Sequence, residues 1–341
     1  MAAKIRATVF TVKEVKSHPN ADRLELVEVL GWQVVTGKGL RKDGQKCVYI
    51  QPDSLVPDKW SEKWEVKQYL KGPDKNRVGQ IRLRGEPSFG FIVEAADLNW
   101  EDGEDVADYY GITKYEPPVK INCGDSDVDC EFFPKYTDIE NLRNYPDVFE
   151  AGEEVVATEK IHGTNCRIGM VNGVKMAGSM RLRRKEPENY EQNTYWFPWS
   201  IPEIQNFFND ISAIYGQVIV FGEVYGHGIQ KGYCYDSKNG LIGFRVFDIM
   251  TNGNWESPNN VKVYCDTYNI PMAPVLYRGP FSLKAIKEVS DGQTTVGDGN
   301  IREGVVVRPV KERRHSRVGR LVMKYVGDEY LLSKHPDSKD V

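Results

Sequence analysis

Hydrophobic and polar positions alternate in short runs over the first hundred residues. Ile5 to Val15 and Leu24 to Val35 are rich in β-branched residues, Lys46 to Pro52 is short and apolar, and Val78 to Val93 is broken by the turn-like Gly85-Glu-Pro-Ser. Runs of this length, bounded by Gly, Pro, Asn and Asp, predict strands joined by tight turns and together a small barrel. From about Trp100 to Tyr145 the chain turns acidic and irregular, with Glu101-Asp-Gly-Glu-Asp105 and Glu116-Pro-Pro-Val, as a connecting segment would. The spacing places a boundary near residue 115, giving domains 1–115 and 116–341. Beyond it, strands are predicted at Glu153–Thr158, Cys166–Val171, Val218–Val224, Gly243–Ile249, Val305–Pro309 and Leu321–Val326, with helices at Pro202–Tyr215 and Leu283–Val289. That mixture predicts an α+β domain of antiparallel sheets with flanking helices.

Length agrees with two domains, since 341 residues exceed one ordinary core. Apolar residues are 40% and charged residues 28% of the chain, and no apolar run approaches the roughly 18 residues of a membrane span. With no apolar leader after Met1, the expectation is a soluble, cytoplasmic protein that works as a monomer, away from membranes. Six scattered cysteines lack a C-x-x-C pair, so reduced thiols are expected; Cys123 and Cys130 alone make at most half a metal site. A net charge of −4 argues against holding nucleic acid by bulk electrostatics. Two local basic runs remain, Arg181-Leu-Arg-Arg-Lys185 and Lys311-Glu-Arg-Arg-His-Ser-Arg317, which charge alone reads as solvated loops.

The segment with chemistry in it is Glu159-Lys160-Ile-His-Gly-Thr-Asn165. A lysine follows a strand and stands near a glycine that lets a ligand approach the backbone, among polar side chains able to hydrogen-bond. Lysine becomes a nucleophile when cations or desolvation lower its pKa. A lone Lys-x-x-Gly is weak, because an exposed turn lysine is the commoner use of that tetrapeptide. Four more segments follow in order: Phe221-Gly-Glu-Val-Tyr-Gly226, Phe244-Arg-Val-Phe-Asp-Ile249, Arg302-Glu-Gly-Val-Val-Val-Arg308 and Arg320-Leu-Val-Met-Lys-Tyr325.

Together these five segments resemble the covalent nucleotidyltransferases: DNA ligases, RNA ligases and mRNA capping enzymes. Lys-Ile-His-Gly-Thr-Asn, with His where DNA ligases use Asp, and the Phe221 to Lys231 stretch resemble nick-sealing RNA ligases. Ser17-His-Pro-Asn-Ala-Asp-Arg-Leu resembles a stretch of tRNA-binding OB-fold modules, although Pro19 to Asp22 equally suits a plain turn. An OB-like module ahead of the five segments, with no domain expected after them, is similar to the RNA ligase 5 family of the Deinococcus and Naegleria type.

The resemblance implies an OB-fold barrel followed by an ATP-grasp-like nucleotidyltransferase domain. It implies an ATP-dependent RNA ligase using Mg²⁺ or Mn²⁺, which forms a lysyl-AMP, adenylates a 5′-phosphate and joins it to an RNA 3′-hydroxyl, sealing nicks in an RNA-containing duplex. Lys160 is the implied nucleophile and Lys324 the α-phosphate contact, with Glu303 on metal and Glu223 on metal or ribose. Phe244 is implied to stack on adenine while Phe247 reads as core; Arg181, His162 and Asn165 are implied to orient nucleotide, phosphate and metal. One departure stands out: the phage nick-sealing ligases carry a second lysine where this chain has Val326, so the second is dispensable here or Arg320 or another cation replaces it. His227 reads as conformational, His315 and its arginines as RNA contacts or a loop, and Trp196 and Trp199 as a packed cluster or base-stacking platform. Competing expectations are a DNA ligase, a capping guanylyltransferase, or a non-catalytic OB-fold RNA-binding protein.

Overall fold

The computed structural model describes residues 7–115, 125–237, 241–297 and 299–333. Glu116 to Val119 of the expected connecting segment, and Cys123 of the half metal site, lie outside the described residues. Contacts divide the chain into two compact units, one within Ala2–Pro118 together with Arg143–Pro146, the other within Val119–Leu142 and Asp147–Ser333.

The first unit is built from short antiparallel strands. Ala7–Thr11, Lys46–Ile50 and Phe91–Glu94 form one sheet, and Val15–Ser17, Leu24–Val29 and Trp32–Gly37 a second. Leu24 to Val35, expected as one run, is a hairpin: Leu30 and Gly31 both take positive φ (50° and 75°), which turns the chain in two residues. Val78 to Val93 likewise divides at Arg84-Gly85 into Gln80–Leu83 and Glu86–Phe89, followed by Phe91–Glu94. In the His-Pro-Asn-Ala-Asp segment, the His18 imidazole accepts from the Asn20 amide (3.0 Å) and donates to the Leu83 carbonyl (3.0 Å), so it pins a turn.

The second unit holds two sheets. A five-stranded sheet runs Glu140–Asn141, Met323–Val326, Gly304–Pro309, Glu154–Glu159, Val275–Pro280; a six-stranded sheet runs Arg183–Arg184, Val174–Ser179, Thr164–Val171, Gln217–Gly226, Ile242–Thr251, Asn254–Trp255. All pairings are antiparallel except Glu140–Asn141 with Met323–Val326. One face of the six-stranded sheet is covered by helices Pro202–Ile211 and Pro258–Tyr268. The first buries Ile204, Phe207, Phe208 and Ile211, the i, i+3, i+4, i+7 stripe of an amphipathic helix started by Pro202. Trp196 and Trp199, 2% and 0% exposed, pack in the same core, the packed cluster of the two alternatives above.

A buried charge cluster ties the two sheets together. Asp248, from the six-stranded sheet, accepts from Arg308 of the five-stranded sheet (2.8 Å), from Arg320 (2.7 Å) and from the Tyr136 hydroxyl (2.9 Å). Burial alone would raise the Asp248 carboxyl, but the Arg308 and Arg320 charges outweigh it and hold its pKa below the ordinary value. Glu312 accepts from Arg320 Nε and Nη2 at 2.9 Å each, and the guanidinium lies 3.8 Å over Trp255. Arg320 is therefore committed to the core. The alternative that it replaces the second phosphate lysine is corrected: its Nε, Nη1 and Nη2 each donate to a carboxylate of the core.

Candidate active site

Lys160 begins where the strand Glu154–Glu159 ends, and its amide still donates to the Gly304 carbonyl (2.9 Å), continuing the ladder with the neighbouring strand. This register puts Glu303 beside Lys160. The Lys160 ammonium pairs with Glu303 Oε1; the lysine side chain is 19% exposed and the carboxylate 0%. Gly304 must be glycine, since at φ 152° a Cβ would stand 2.2 Å from the Tyr325 carbonyl oxygen.

His162 is buried behind this pair. Its Nδ1 lies 3.4 Å from Glu303 Oε2 and 3.5 Å from the Tyr330 hydroxyl, its ring meets Tyr233 edge-on at 4.7 Å, and its amide donates to the Tyr235 hydroxyl (2.6 Å). Burial pushes the Tyr235 phenol pKa far up, so that oxygen stays a neutral acceptor. Gly163 lies flat on the strand Gln217–Gly226: a Cβ there would be 2.3 Å from the Val224 carbonyl oxygen and 2.9 Å from Glu223 Cγ. Its carbonyl accepts from Gln230 (2.8 Å).

Pairing across the six-stranded sheet places Asn165 opposite Glu223 and Glu223 opposite Arg245, so these three share one face. Asn165 Oδ1 is buried with no hydrogen-bond partner among the described residues. Leaving such an acceptor empty costs about 1–3 kcal/mol, which suits a position meant for a ligand's donors. Glu159, just before Lys160, is 2% exposed and accepts from the Thr294 hydroxyl and from the Thr295 amide (2.9 Å) and hydroxyl (2.6 Å). The segment it holds reaches Gly297, whose missing Cβ would stand 2.5 Å from the Asp236 amide, next to Tyr235. Glu159, Gly297, Tyr235 and His162 thus brace one another around Lys160.

Lys160, His162 and Glu303 are brought together, with Asn165 and Glu223 beside Gly163. Lys324 is half-buried on Met323–Val326, opposite Val306, while fully buried Val326 is opposite Gly304. Arg181 is exposed in the turn after Val174–Ser179, and its neighbours Arg183 and Arg184 pair with Asp127 (3.0 Å) and Asp125 (3.3 Å). The second basic run is partly neutralised as well: Arg313 pairs with Glu153 (2.6 Å) and Arg317 with Asp147 (2.6 Å).

Phe244 is not where the motif reading put it. It is 4% exposed in the core under the two helices, its ring against Gly222, on the face opposite Glu223. The register slips between Phe221 (opposite Asp248) and Gly222 (opposite Val246), which leaves Phe247 as the extra residue of a β-bulge. Phe247, expected to be core, is half-buried on the face of Arg245 and Glu223, against Tyr136 at 4.9 Å, and packs on the buried cluster of Phe133, Ile219 and Phe221. The order Phe-x-x-Phe-Asp does not say which face each ring takes; pairing with Val224 turns Phe244 toward the helix-covered core. Tyr233, Tyr235, Tyr330, Asp248 and Arg308 were likewise given no role by sequence; their only signal is that Asp248 and Arg308 lie in the ordered segments.

A family model described as RNA ligase matches residues 153–326, just over half of the chain, and the chain belongs to the RNA ligase family. A model for an OB-fold domain matches residues 6–94. Among solved structures, Naegleria gruberi RNA ligase in a lysine-to-methionine variant with AMP and Mn is similar with a TM-score of 0.76 at 23% identity, covering 98% of this chain and 99% of that one. A lysine-to-alanine variant of that ligase with ATP and Mn gives 0.76 at 22% identity over 98% and 99%. Its structure with PPi gives 0.73 at 22% identity over 96% and 98%. The shared architecture is an N-terminal OB fold and a nucleotidyltransferase domain. No helix among the described residues is long and apolar enough to cross a membrane.

Proposed function

We propose that this RNA ligase is ATP-dependent and works through a lysyl-adenylate on Lys160. The observation that carries the reading is the Lys160, Glu303 and His162 group, fixed across two adjacent strands within the span that matches the family. The Lys160 amine attacks the α-phosphorus of ATP, a P–N bond forms, and pyrophosphate leaves with the electrons of the broken P–O bond. An oxygen of an RNA 5′-phosphate then displaces the lysine, and a 3′-hydroxyl displaces AMP to close the strand.

Each residue has a task that follows from its surroundings. Pairing with Glu303 holds Lys160 as an ammonium aimed at one place; attack requires the free amine, so that pairing must loosen when ATP enters. Asn165 offers its empty oxygen to donors from the ligand, and Gly163 lets the nucleotide approach the backbone. Lys324 supplies positive charge from the next strand, and Arg181 an exposed cation for the acceptor phosphate.

A divalent cation fits the residues present. Glu303, Glu223 and the orphaned Asn165 oxygen are hard oxygen donors, and no group of three or more His, Cys, Asp or Glu among the described residues forms a closed cage. That sparse set suits Mg²⁺ or Mn²⁺ kept largely in its water shell. Bound there, the ion would neutralise phosphate charge. In the same reading, residues 1–115 are an RNA-binding OB module and 116–341 the adenylyltransferase domain, acting on nicks in an RNA-containing duplex.

Incubation with α-labelled ATP and Mg²⁺ is expected to label the protein covalently, and Lys160→Ala to remove the label. A Lys160→Ala protein that still labels would sink the mechanism. GTP as donor, and RNA or DNA strands placed in turn around a nick, separate this ligase from capping and DNA-sealing relatives.

A further inference from the structure

The acidic stretch Asp125-Ser-Asp-Val-Asp129 runs along the edge of the six-stranded sheet beside Arg183–Arg184, and no step above uses it. Backbone bonds tie it there: the Asp127 amide donates to the Arg183 carbonyl and the Lys185 amide to the Asp125 carbonyl, each at 3.0 Å. Its acids meet the arginines one by one, Asp125 with Arg184 (3.3 Å), Asp127 with Arg183 (3.0 Å) and Asp129 with Arg167 (4.0 Å). Charge and a few backbone bonds hold this strap, since no side chain from Asp125 to Phe132 is fully buried. Segments held in that way open at low cost.

The arginines beneath offer more donors than the strap satisfies. Arg167 pairs with Gly178 across the strands, and Gly178 with Arg183, so the two guanidiniums share a face with only a glycine between them. A Cβ at Gly178 would stand 3.2 Å from Arg167 Nε. Arg167 is 1% exposed and donates from Nη1 to the Phe133 carbonyl, but its Nε and Nη2, and the Nε of Arg183, have no hydrogen-bond partner among the described residues. Burial, with the Arg183 charge adding to it, pushes the Arg167 pKa down to about 10. A carboxylate 4.0 Å away offsets charge without accepting a hydrogen bond. Phosphate oxygens set against the planar guanidinium fork would take two donors at once.

We propose that Arg183 and Arg167 form a phosphate-binding edge for the RNA strand, and that the Asp125–Asp129 strap occupies this edge as an internal stand-in for the RNA backbone until RNA displaces it. The inference rests on the reading that this domain acts on RNA. Asp125, Asp127 and Asp129 repeat a negative charge at every second residue, as a nucleic-acid strand repeats one at every nucleotide. Exchanging one anion for the other never leaves the buried Arg167 charge uncompensated, which is the costly event. Arg183 is reached first, and Arg167 opens once Asp129 has left. The strap also sets a threshold: a polyanion that makes too few contacts does not displace it, which works against loose binding of the wrong partner.

The test uses the full-length protein and a fluorescent, 5′-phosphorylated nicked RNA duplex, with binding read by anisotropy. Asp127→Asn with Asp129→Asn keeps shape and removes the two competing charges, and is expected to tighten RNA binding at least about threefold. The control, Asp266→Asn with Glu288→Gln, changes net charge equally at two exposed acids that pair with lysines of their own helices, and is expected to shift affinity less than about twofold. In an Arg183→Gln background Asp127→Asn is expected to add nothing, because the two act as one pair. Hydrogen exchange on the wild-type protein needs no variant: adding the RNA is expected to speed exchange of the Asp127 and Lys185 amides. Unchanged or weaker binding by the strap variant, equal tightening in the control, a gain that survives Arg183→Gln, or amides that stay protected with RNA bound each overturn the proposal. A wild-type protein that does not bind the RNA at all is a different failure, that of the reading that the domain acts on RNA.

Discussion

At the scale of single residues, the two phenylalanines of Phe244 to Phe247 make opposite predictions. Phe247 has a half-buried ring on the face that carries Glu223 and Arg245, packed on one side against Tyr136, so under the proposed function it is the aromatic of the pair open to a base. Phe247→Leu is expected to raise KM for ATP roughly tenfold, in keeping with stacking worth about 1–3 kcal/mol. Phe244→Ala, in the helix-covered core, is expected to lower stability by about 3–5 kcal/mol in urea unfolding. An unchanged KM in Phe247→Leu would remove Phe247 from the nucleotide site. Lys160, His162, Asn165, Glu223 and Glu303 were legible in sequence because their chemistry and order are distinctive. The tyrosines around His162 were not, because a buried tyrosine in a Gly-rich loop or a terminal helix has no pattern of its own until the chain folds back on it.

Among elements, the telling feature is the junction of the two sheets at Asp248. Removing its charge leaves Arg308 and Arg320 buried beside a neutral side chain, which typically costs about 3–5 kcal/mol. Asp248→Asn is therefore expected to lower the urea midpoint sharply. The pH dependence has a definite sign: the folded pKa of Asp248 is depressed, so its contribution is present above the ordinary value of 3.8 and is lost as pH falls through the lower folded value. Acid titration followed by tryptophan fluorescence should show the variant losing less stability than wild type below that pH. The helix Pro202–Ile211 was readable from its four-residue stripe. The helix Pro258–Tyr268 was not, since past Pro258 it fully buries just Val261 and Cys265; the Ser257 cap and Pro258 were the signal available. The hairpin at Leu30-Gly31 was missed because leucine is a poor advertisement for a turn that needs positive φ.

For the whole molecule, charge sets the expectation. The chain carries a net −4, and both basic runs are partly consumed by ion pairs to Asp125, Asp127, Asp147 and Glu153. RNA affinity measured by fluorescence anisotropy should fall only gently with salt, with a log–log slope of magnitude about 5 or less, reflecting a few phosphate contacts. A much steeper slope would mean that a broad basic surface binds the RNA. The register at Lys160 has a bearing on how such a protein can change over generations. Lys160 and Glu303 face each other because Lys160 bonds to the residue after Glu303, so their meeting depends on strand alignment and hardly at all on which apolar residues fill the sheets. Substitutions can accumulate through both sheets while the pair survives, which suits a fold kept at 22–23% identity. A single inserted or deleted codon between Gly304 and Pro309 would instead turn Glu303 to the other face in one step, so this lineage can drift in spelling but not in count.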